Sequence, residues 1–185
     1  MTPGPVAARI DDATRPRRAR GLELTFAQQL PGQHLRAIHD VFRGDLRALL
    51  DRVEEVRRGD ATVAALRAAV NHLTGRRTQE TLGGFCAQFC SFVTLHHTLE
   101  DQSMFPAVAG LPDYAPVAER LAEEHVVIHA HLLRIDAVLR RLEGEPHAFD
   151  ELDTAVAALD EDLLSHFTYE ETELAEPLGL LGMPG

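Results

Sequence analysis

Four long stretches of this chain repeat apolar residues every three or four positions, which is the period of an amphipathic α-helix. The stretches cover about residues 33–58, 77–108, 116–143 and 148–175, and glycine and proline residues separate them. A shorter stretch of the same kind covers about 60–74, and no run alternates with the two-residue period of a strand. The sequence therefore predicts an all-α fold, an antiparallel up-down-up-down four-helix bundle with a short extra helix between helices one and two.

The chain of 185 residues is predicted to form a single domain with an extension at each end. Residues 1–31 are expected to be a flexible arm rich in Arg and Pro, residues 32–178 the four-helix bundle, and residues 179–185 an irregular tail. The net charge is −11, and the basic residues near the N-terminus contrast with an acidic body. This balance argues against a nucleic-acid-binding surface.

The sequence also lacks the features of a membrane or exported protein. No apolar run approaches the roughly 18 residues that a membrane-spanning helix needs. The Arg cluster at 15–20 is not followed by the apolar core of an export signal. We therefore expect a cytoplasmic protein without a membrane partner; the sequence does not indicate an oligomeric state.

Histidines interrupt the apolar stripes of all four long helices. They are His39, His96, His125, His129 and His166. Glu100 follows His96 by four residues and therefore leaves the helix on the same face, and Glu170 stands in the same relation to His166. In an antiparallel bundle these positions can converge at one level of the core.

Such a set of buried groups indicates metal binding. Ionised carboxylates are costly to bury unless they are paired or bound to metal. A pair of divalent ions satisfies five imidazoles and two carboxylates and leaves a coordination position open. Imidazole with carboxylate suits Zn, Fe, Mn, Ni and Cu alike. No histidine has a Glu three residues before it, which argues against the Glu-x-x-His motifs of ferritin-like di-iron bundles.

Four sequence blocks, one on each long helix, together resemble the hemerythrin-like family, also called the HHE cation-binding domain. The blocks are Ile38–Arg43, His96–Asp101 leading to Met104-Phe105-Pro106, Glu123–His129, and His166–Glu171. The resemblance covers about residues 33–178. It implies a non-haem di-iron centre, with two iron ions bridged by two carboxylates and an oxygen atom. It also implies an open position on one iron, where dioxygen or a related small ligand binds.

Carried over residue by residue, the resemblance assigns six side chains to ligand positions. These are His39, His96, Glu100, His125, His129 and His166, with Glu100 as one bridging carboxylate. Two candidates stay open for the second bridge. Oxygen-carrying members space the last histidine and the carboxylate five residues apart, which points to Glu171. Helix phase favours Glu170, because five residues turn a side chain about 140° away from the face.

Several neighbouring residues have less definite predictions. His97 and Asp101 are either partners of the ligands or part of a solvated edge. His131 is expected at the surface or rim, and Glu124 on a polar face where a hydrogen bond to a ligand imidazole is possible.

Three functions fit the predicted site. The first is binding or sensing of dioxygen or of a related ligand such as peroxide or nitric oxide. The second is an enzyme that consumes peroxide or nitric oxide, although no acid–base pair beyond the ligands is evident, so whether the chain is an enzyme stays open. The third is an iron-responsive regulatory module that uses the Arg-rich arm as its contact.

Overall fold

The computed structural model describes residues 8–18, 22–60, 83–142, 145 and 148–183, and for 83–90 and residue 140 it describes the backbone only. The described residues form five α-helices and contain no strand. The helices are α1 (Phe26–Arg57), α2 (Gly83–Leu99), α3 (Phe105–Ala109), α4 (Ala115–Arg141) and α5 (Ala148–Leu181). The predicted all-α class is confirmed, and the four long helices are consistent with a helical bundle. The extra helix predicted at 60–74 falls in a stretch outside the described residues.

Helix α1 begins earlier than the apolar pattern indicates. Thr25 and Gln28 form a capping box, in which the Thr25 hydroxyl accepts from the Gln28 backbone N–H and the Gln28 side chain accepts from the Thr25 backbone N–H. The helix therefore begins at Phe26, and Pro31 lies inside it rather than before it. The C-terminal helix also exceeds its predicted end, since α5 includes Pro177 and continues to Leu181.

Helices α1 and α5 run in opposite directions along each other. Gln28, near the start of α1, lies beside Gly179, near the end of α5, and a Cβ at position 179 would overlap the Gln28 carbonyl oxygen. At the other end, Arg57 of α1 pairs with Asp153 of α5. A glycine at 179 therefore permits the close approach of the two backbones.

Helices α4 and α5 also run in opposite directions. Glu124, in the first half of α4, contacts His166, just past the middle of α5, whereas Arg141 at the end of α4 pairs with Glu151 near the start of α5. The complete up-down-up-down order of the four long helices stays a prediction.

The apolar core consists of two clusters, with the histidine level between them. On α1, His39 lies between Leu35 of one cluster and Phe42 of the other. On α4, His125 lies between Leu121 and Ile128 in the same way. The bundle thus holds one polar layer between two apolar clusters. A charged or metal-binding group in that layer is shielded from water on both sides. No helix among the described residues is both long enough and apolar enough to cross a membrane.

The N-terminal segment, residues 8–18, lies against α4 and α5. Arg15 in this segment is 7% exposed. The hydroxyl of Tyr169 on α5 donates to the carbonyl oxygen of Pro16 at 2.6 Å. The part of the expected arm that the structure describes is therefore packed on the bundle through specific contacts.

Candidate metal centre

Seven side chains meet in the polar layer and form two groups. The mixed group consists of His39, His96, Glu100 and Glu170, and the histidine group consists of His97, His125 and His166. Within each group, the potential ligand atoms all lie within 4.8 Å of one another. Every member is buried except His96, which is partly buried. Four helical segments of the chain contribute, so only the folded bundle brings these atoms together.

The two carboxylates connect the two groups. Glu100 Oε1 lies 3.0 Å from His96 Nε2, and Glu100 Oε2 lies 3.6 Å from His125 Nε2. Glu170 Oε2 lies 3.4 Å from His39 Nε2 and 3.5 Å from His166 Nε2. Each carboxylate therefore faces one histidine of each group, which is the placement needed to bridge two ions.

The polar atoms at the centre lack partners of their own. Among the described residues, seven buried atoms of this site have no hydrogen-bond partner: Nε2 of His97, His125 and His166, and both carboxylate oxygens of Glu100 and Glu170. Each unsatisfied buried polar group costs about 1–3 kcal/mol. The atoms are all lone-pair donors of the kind that divalent metal ions bind. The residues present therefore fit a site for two metal ions.

Three of the histidines are oriented by carboxylates behind them. The Nδ1 distances are 3.0 Å from His39 to Glu171, 2.9 Å from His125 to Asp101, and 3.1 Å from His166 to Glu124. An imidazole that donates from Nδ1 to a carboxylate keeps the lone pair on Nε2, which is the usual arrangement behind a metal ligand. In all three histidines Nε2 is the atom that faces the centre.

The structure separates the two candidates for the second bridging carboxylate. Glu170 is fully buried and belongs to the mixed group. Glu171 lies on the far side of His39, where it accepts hydrogen bonds from Arg43 at 2.6 Å and Arg36 at 3.2 Å. Burial would raise the pKa of Glu171, but the hydrogen bonds from His39 and Arg43 outweigh it and lower that pKa.

The structure also differs from the sequence-based ligand set at His129. That residue is exposed on α4 and lies outside both groups. After His125, the next buried positions of α4 are Ile128, His131 and Leu132, so the buried face of the helix passes beside position 129 and leaves it exposed. The spacing of four residues places His125 and His129 on neighbouring parts of the helix surface, but it does not bring both into the core.

His97 lies in the site instead. It is 5% exposed, and its ring stacks on that of His125 with centroids 3.8 Å apart. The signal in the sequence was the pair His97 and Asp101, four residues apart on the face next to His96 and Glu100. Because His96 and His97 are adjacent, they point in directions about 100° apart, and each belongs to a different group.

A widened turn carries Glu100 and Asp101 into position. Residues Glu100–Met104 form a π-helical turn, in which the Phe105 backbone N–H donates to the Glu100 carbonyl five residues earlier. Pro106 follows and has no N–H with which to continue the regular α-helical pattern. Such π turns are frequent at functional sites.

Burial determines the charge state of the metal-free site. It raises the pKa of both Glu100 and Glu170, and the negative charge of Glu170 raises that of Glu100 further. Burial lowers the pKa of His96 and His166 to about 3. Glu124 differs, since burial would raise its pKa, but hydrogen bonds from His166 and Arg15 lower it to about 2. At neutral pH His96 and His166 are therefore neutral and Glu170, whose pKa burial raises to about 8, holds a proton, while Glu124 behind the centre is ionised.

We expect the stability of the metal-free protein to fall as the pH rises above about 6.5. Above about pH 4.3, Glu100 and Glu170 keep protons in the folded state that the unfolded chain has lost. Each of them therefore lowers the free energy of unfolding by up to about 1.4 kcal/mol for every unit by which the pH rises. Below about pH 6.5 the depressed histidines act in the opposite direction, because the unfolded chain then binds the protons. Urea unfolding of chelator-treated protein between pH 6.5 and 8 measures this slope. The same slope in a variant with both Glu100→Gln and Glu170→Gln would contradict it.

The fold and the site together define a class of protein: a helical bundle with a buried site of histidines and carboxylates suited to metal ions. The family model described as the hemerythrin HHE cation binding domain matches residues 33–178. The chain therefore belongs to the hemerythrin HHE cation-binding family, as its four sequence blocks predicted. The matched range contains every member of the mixed and histidine groups, and membership indicates a metal-binding protein whose cation is typically iron. No curated protein and no solved structure matches the chain.

Proposed function

We propose that this protein binds two iron ions in the polar layer of the bundle and there binds dioxygen or a related small ligand. The observation that carries the proposal is the set of seven buried atoms without hydrogen-bond partners. They belong to two groups that Glu100 and Glu170 connect. The protein groups that the structure describes leave these atoms unsatisfied, and two cations would satisfy them.

In this proposal the two ions have different protein ligands. His39 and His96 hold one ion, His97, His125 and His166 hold the other, and Glu100 and Glu170 bridge them. The exposed His129 and the outward Glu171 are not ligands. The ion at His39 and His96 therefore has fewer protein donors than its neighbour, and we place the small ligand there.

The surrounding side chains keep the site dry and orient the ligands. Phe167 stacks on His39 with ring centroids 4.0 Å apart, and Phe105 lies 5.0 Å from His125. His96 is the most accessible of the seven proposed ligands, with a side chain 12% exposed, so we infer that small molecules reach the site past it. When bound, the iron pair supplies the electrons that dioxygen takes up reversibly.

The test is the metal content and optical spectrum of the full chain. Protein loaded with ferrous iron should hold two ions per chain, and on exposure to air it should develop a visible absorption band that disappears on deoxygenation. A featureless spectrum with two irons bound would contradict dioxygen binding. Steady oxygen release from added peroxide, lost in a His125→Ala variant, would identify an enzyme in place of a binding protein.

A further inference from the structure

The N-terminal segment reaches the metal centre from outside the four long helices. Its residue Arg15 donates from Nε to Glu124 Oε1 at 2.7 Å and from Nη2 to Glu124 Oε2 at 2.8 Å. Glu124 Oε2 is also the partner of His166 Nδ1, at 3.1 Å. A continuous chain of hydrogen bonds therefore joins Arg15 to a member of the histidine group.

Arg15 also contacts the residues that come directly before two of the proposed ligands. Its Nη1 donates to Ser165 Oγ at 2.9 Å, and Ser165 comes before His166. Its guanidinium carbon lies 4.5 Å from the ring centroid of Tyr169, which comes before Glu170. Arg15 thus contacts the residue before each of the two proposed ligands on α5, His166 and Glu170.

The contact with Glu124 is buried, and a guanidinium is suited to it. The side chains of Arg15 and Glu124 are 2% and 1% exposed. A two-point guanidinium–carboxylate contact holds the carboxylate plane as well as its charge. Arg120 also donates to Glu124 Oε1, at 3.0 Å, but its side chain is 20% exposed. Without Arg15, Glu124 would keep a negative charge beside His166, and among the described residues only the more exposed Arg120 would balance it.

A second anchor of the segment offers an internal comparison. Arg9 Nε donates to Asp162 Oδ2 at 2.9 Å, and the same oxygen lies 2.7 Å from His131 Nε2. His131 and Asp162 are both buried, contrary to the surface or rim position expected for His131. Neither belongs to the mixed or the histidine group. Arg9 therefore joins the segment to a buried carboxylate of α5 but has no link of this kind to a proposed ligand.

We propose that Arg15 is a positioning residue of the metal centre, which holds His166 through Glu124, and that docking of the N-terminal segment is coupled to metal occupancy. The inference rests on the proposed function to the extent that His166 binds metal. Docking presents Nε2 of His166 to the ion, and the bound ion in turn keeps His166 and Glu124 in the arrangement that Arg15 recognises. Such coupling is reciprocal, because both events favour one arrangement of the same groups.

Metal release from the full chain tests the positioning role. Cobalt(II) is a suitable probe because its visible spectrum reports ligand geometry without any chemistry of dioxygen. Loss of a group behind a metal ligand typically costs 10–100-fold in metal affinity. We therefore expect Arg15→Ala to release cobalt to a chelator about tenfold faster than the original chain and to alter its spectrum. Arg15→Lys, which keeps the charge but not the two-point contact, should be intermediate, and Arg9→Ala should stay within about twofold of the original chain.

Trypsin digestion tests the coupling in the opposite direction. Cleavage after Arg17 and Arg18 should be several-fold slower in the cobalt-loaded chain than in the metal-free chain, because the ion favours the docked segment. Equal cleavage rates would overturn the coupling.

Further outcomes would overturn the positioning role itself. Equal release rates for Arg15→Ala and the original chain would do so, as would equal acceleration in Arg9→Ala and Arg15→Ala. If Arg15→Ala does not fold by circular dichroism, Arg15→Lys decides the matter by the same release assay. An original chain that binds neither cobalt nor iron overturns the proposed function as well, whereas two bound ions with an unaffected Arg15 variant overturn this inference alone.

Discussion

Replacing Glu170 with alanine is expected to reduce bound iron from two ions per chain to one or none. Glu170 Oε2 lies within 3.5 Å of one histidine from each group, so its loss removes a ligand from both proposed ions at once. Bound iron in the folded variant, measured after saturation with ferrous iron and removal of excess metal, tests this expectation.

Glu171→Ala is the matched control, because it changes the same side-chain type one position further along α5. The Glu171 carboxylate accepts a hydrogen bond from Nδ1 of His39 and does not face the proposed ions. The variant should therefore still hold two ions at saturation, with a metal affinity lower by about 10–100-fold. Equal iron retention in Glu170→Ala and Glu171→Ala would refute the assignment on this helix. Glu170→Gln serves as a folding check, since it keeps the volume and removes a buried acid, and its metal-free form should be no less stable than the original chain.

Exchange of His97 for alanine is expected to have the second large effect. Its Nε2 is buried without a hydrogen-bond partner among the described residues, and it is one of only three side chains in the histidine group. Removing it leaves the proposed ion there with two histidines and the bridging carboxylates. Mutating a residue that only hydrogen-bonds to a metal ligand already lowers metal affinity by about 10–100-fold. Because His97 is itself a proposed ligand, we expect its loss to lower the affinity for that ion at least tenfold. Metal titration followed by cobalt absorption measures the loss.

His129→Ala provides the contrast for this second prediction. His129 is exposed on α4, so its replacement should leave both the number of bound ions and their affinity unchanged. The opposite pattern, with metal lost in His129→Ala and retained in His97→Ala, would restore the ligand set that the family resemblance implied. Because surface substitutions usually change stability by less than about 0.5 kcal/mol, an effect at His129 could not be attributed to unfolding.

Much of the architecture was predictable from local patterns. The period of three to four residues predicted the all-α class and the approximate extent of the long helices. Helix phase also favoured Glu170 over Glu171, and the structure places Glu170 in the mixed group and Glu171 behind His39. These inferences depend only on relations within one helix, which the sequence specifies directly. Helix ends were less predictable, since the capping box at Thr25 starts α1 before Pro31.

The choice between His97 and His129 could not be made from spacing alone. Both lie four residues from another polar member of the same helix, and periodicity states which residues share a face but not how that face is rotated toward the bundle axis. That rotation results from packing between helices. In α4 the burial of Ile128 and Leu132 turns position 129 outward.

By itself, the amino-acid sequence determined the helical class, the family and most of the side chains that meet in the polar layer. Tertiary structure alone decided which histidines face the centre and which carboxylates stand behind them. It also brought Arg15 to Glu124, a contact across 109 positions of the chain. The physical reason is that a metal site depends on distances between atoms of different helices. Those distances follow from the packing and rotation of whole helices, which no local pattern encodes.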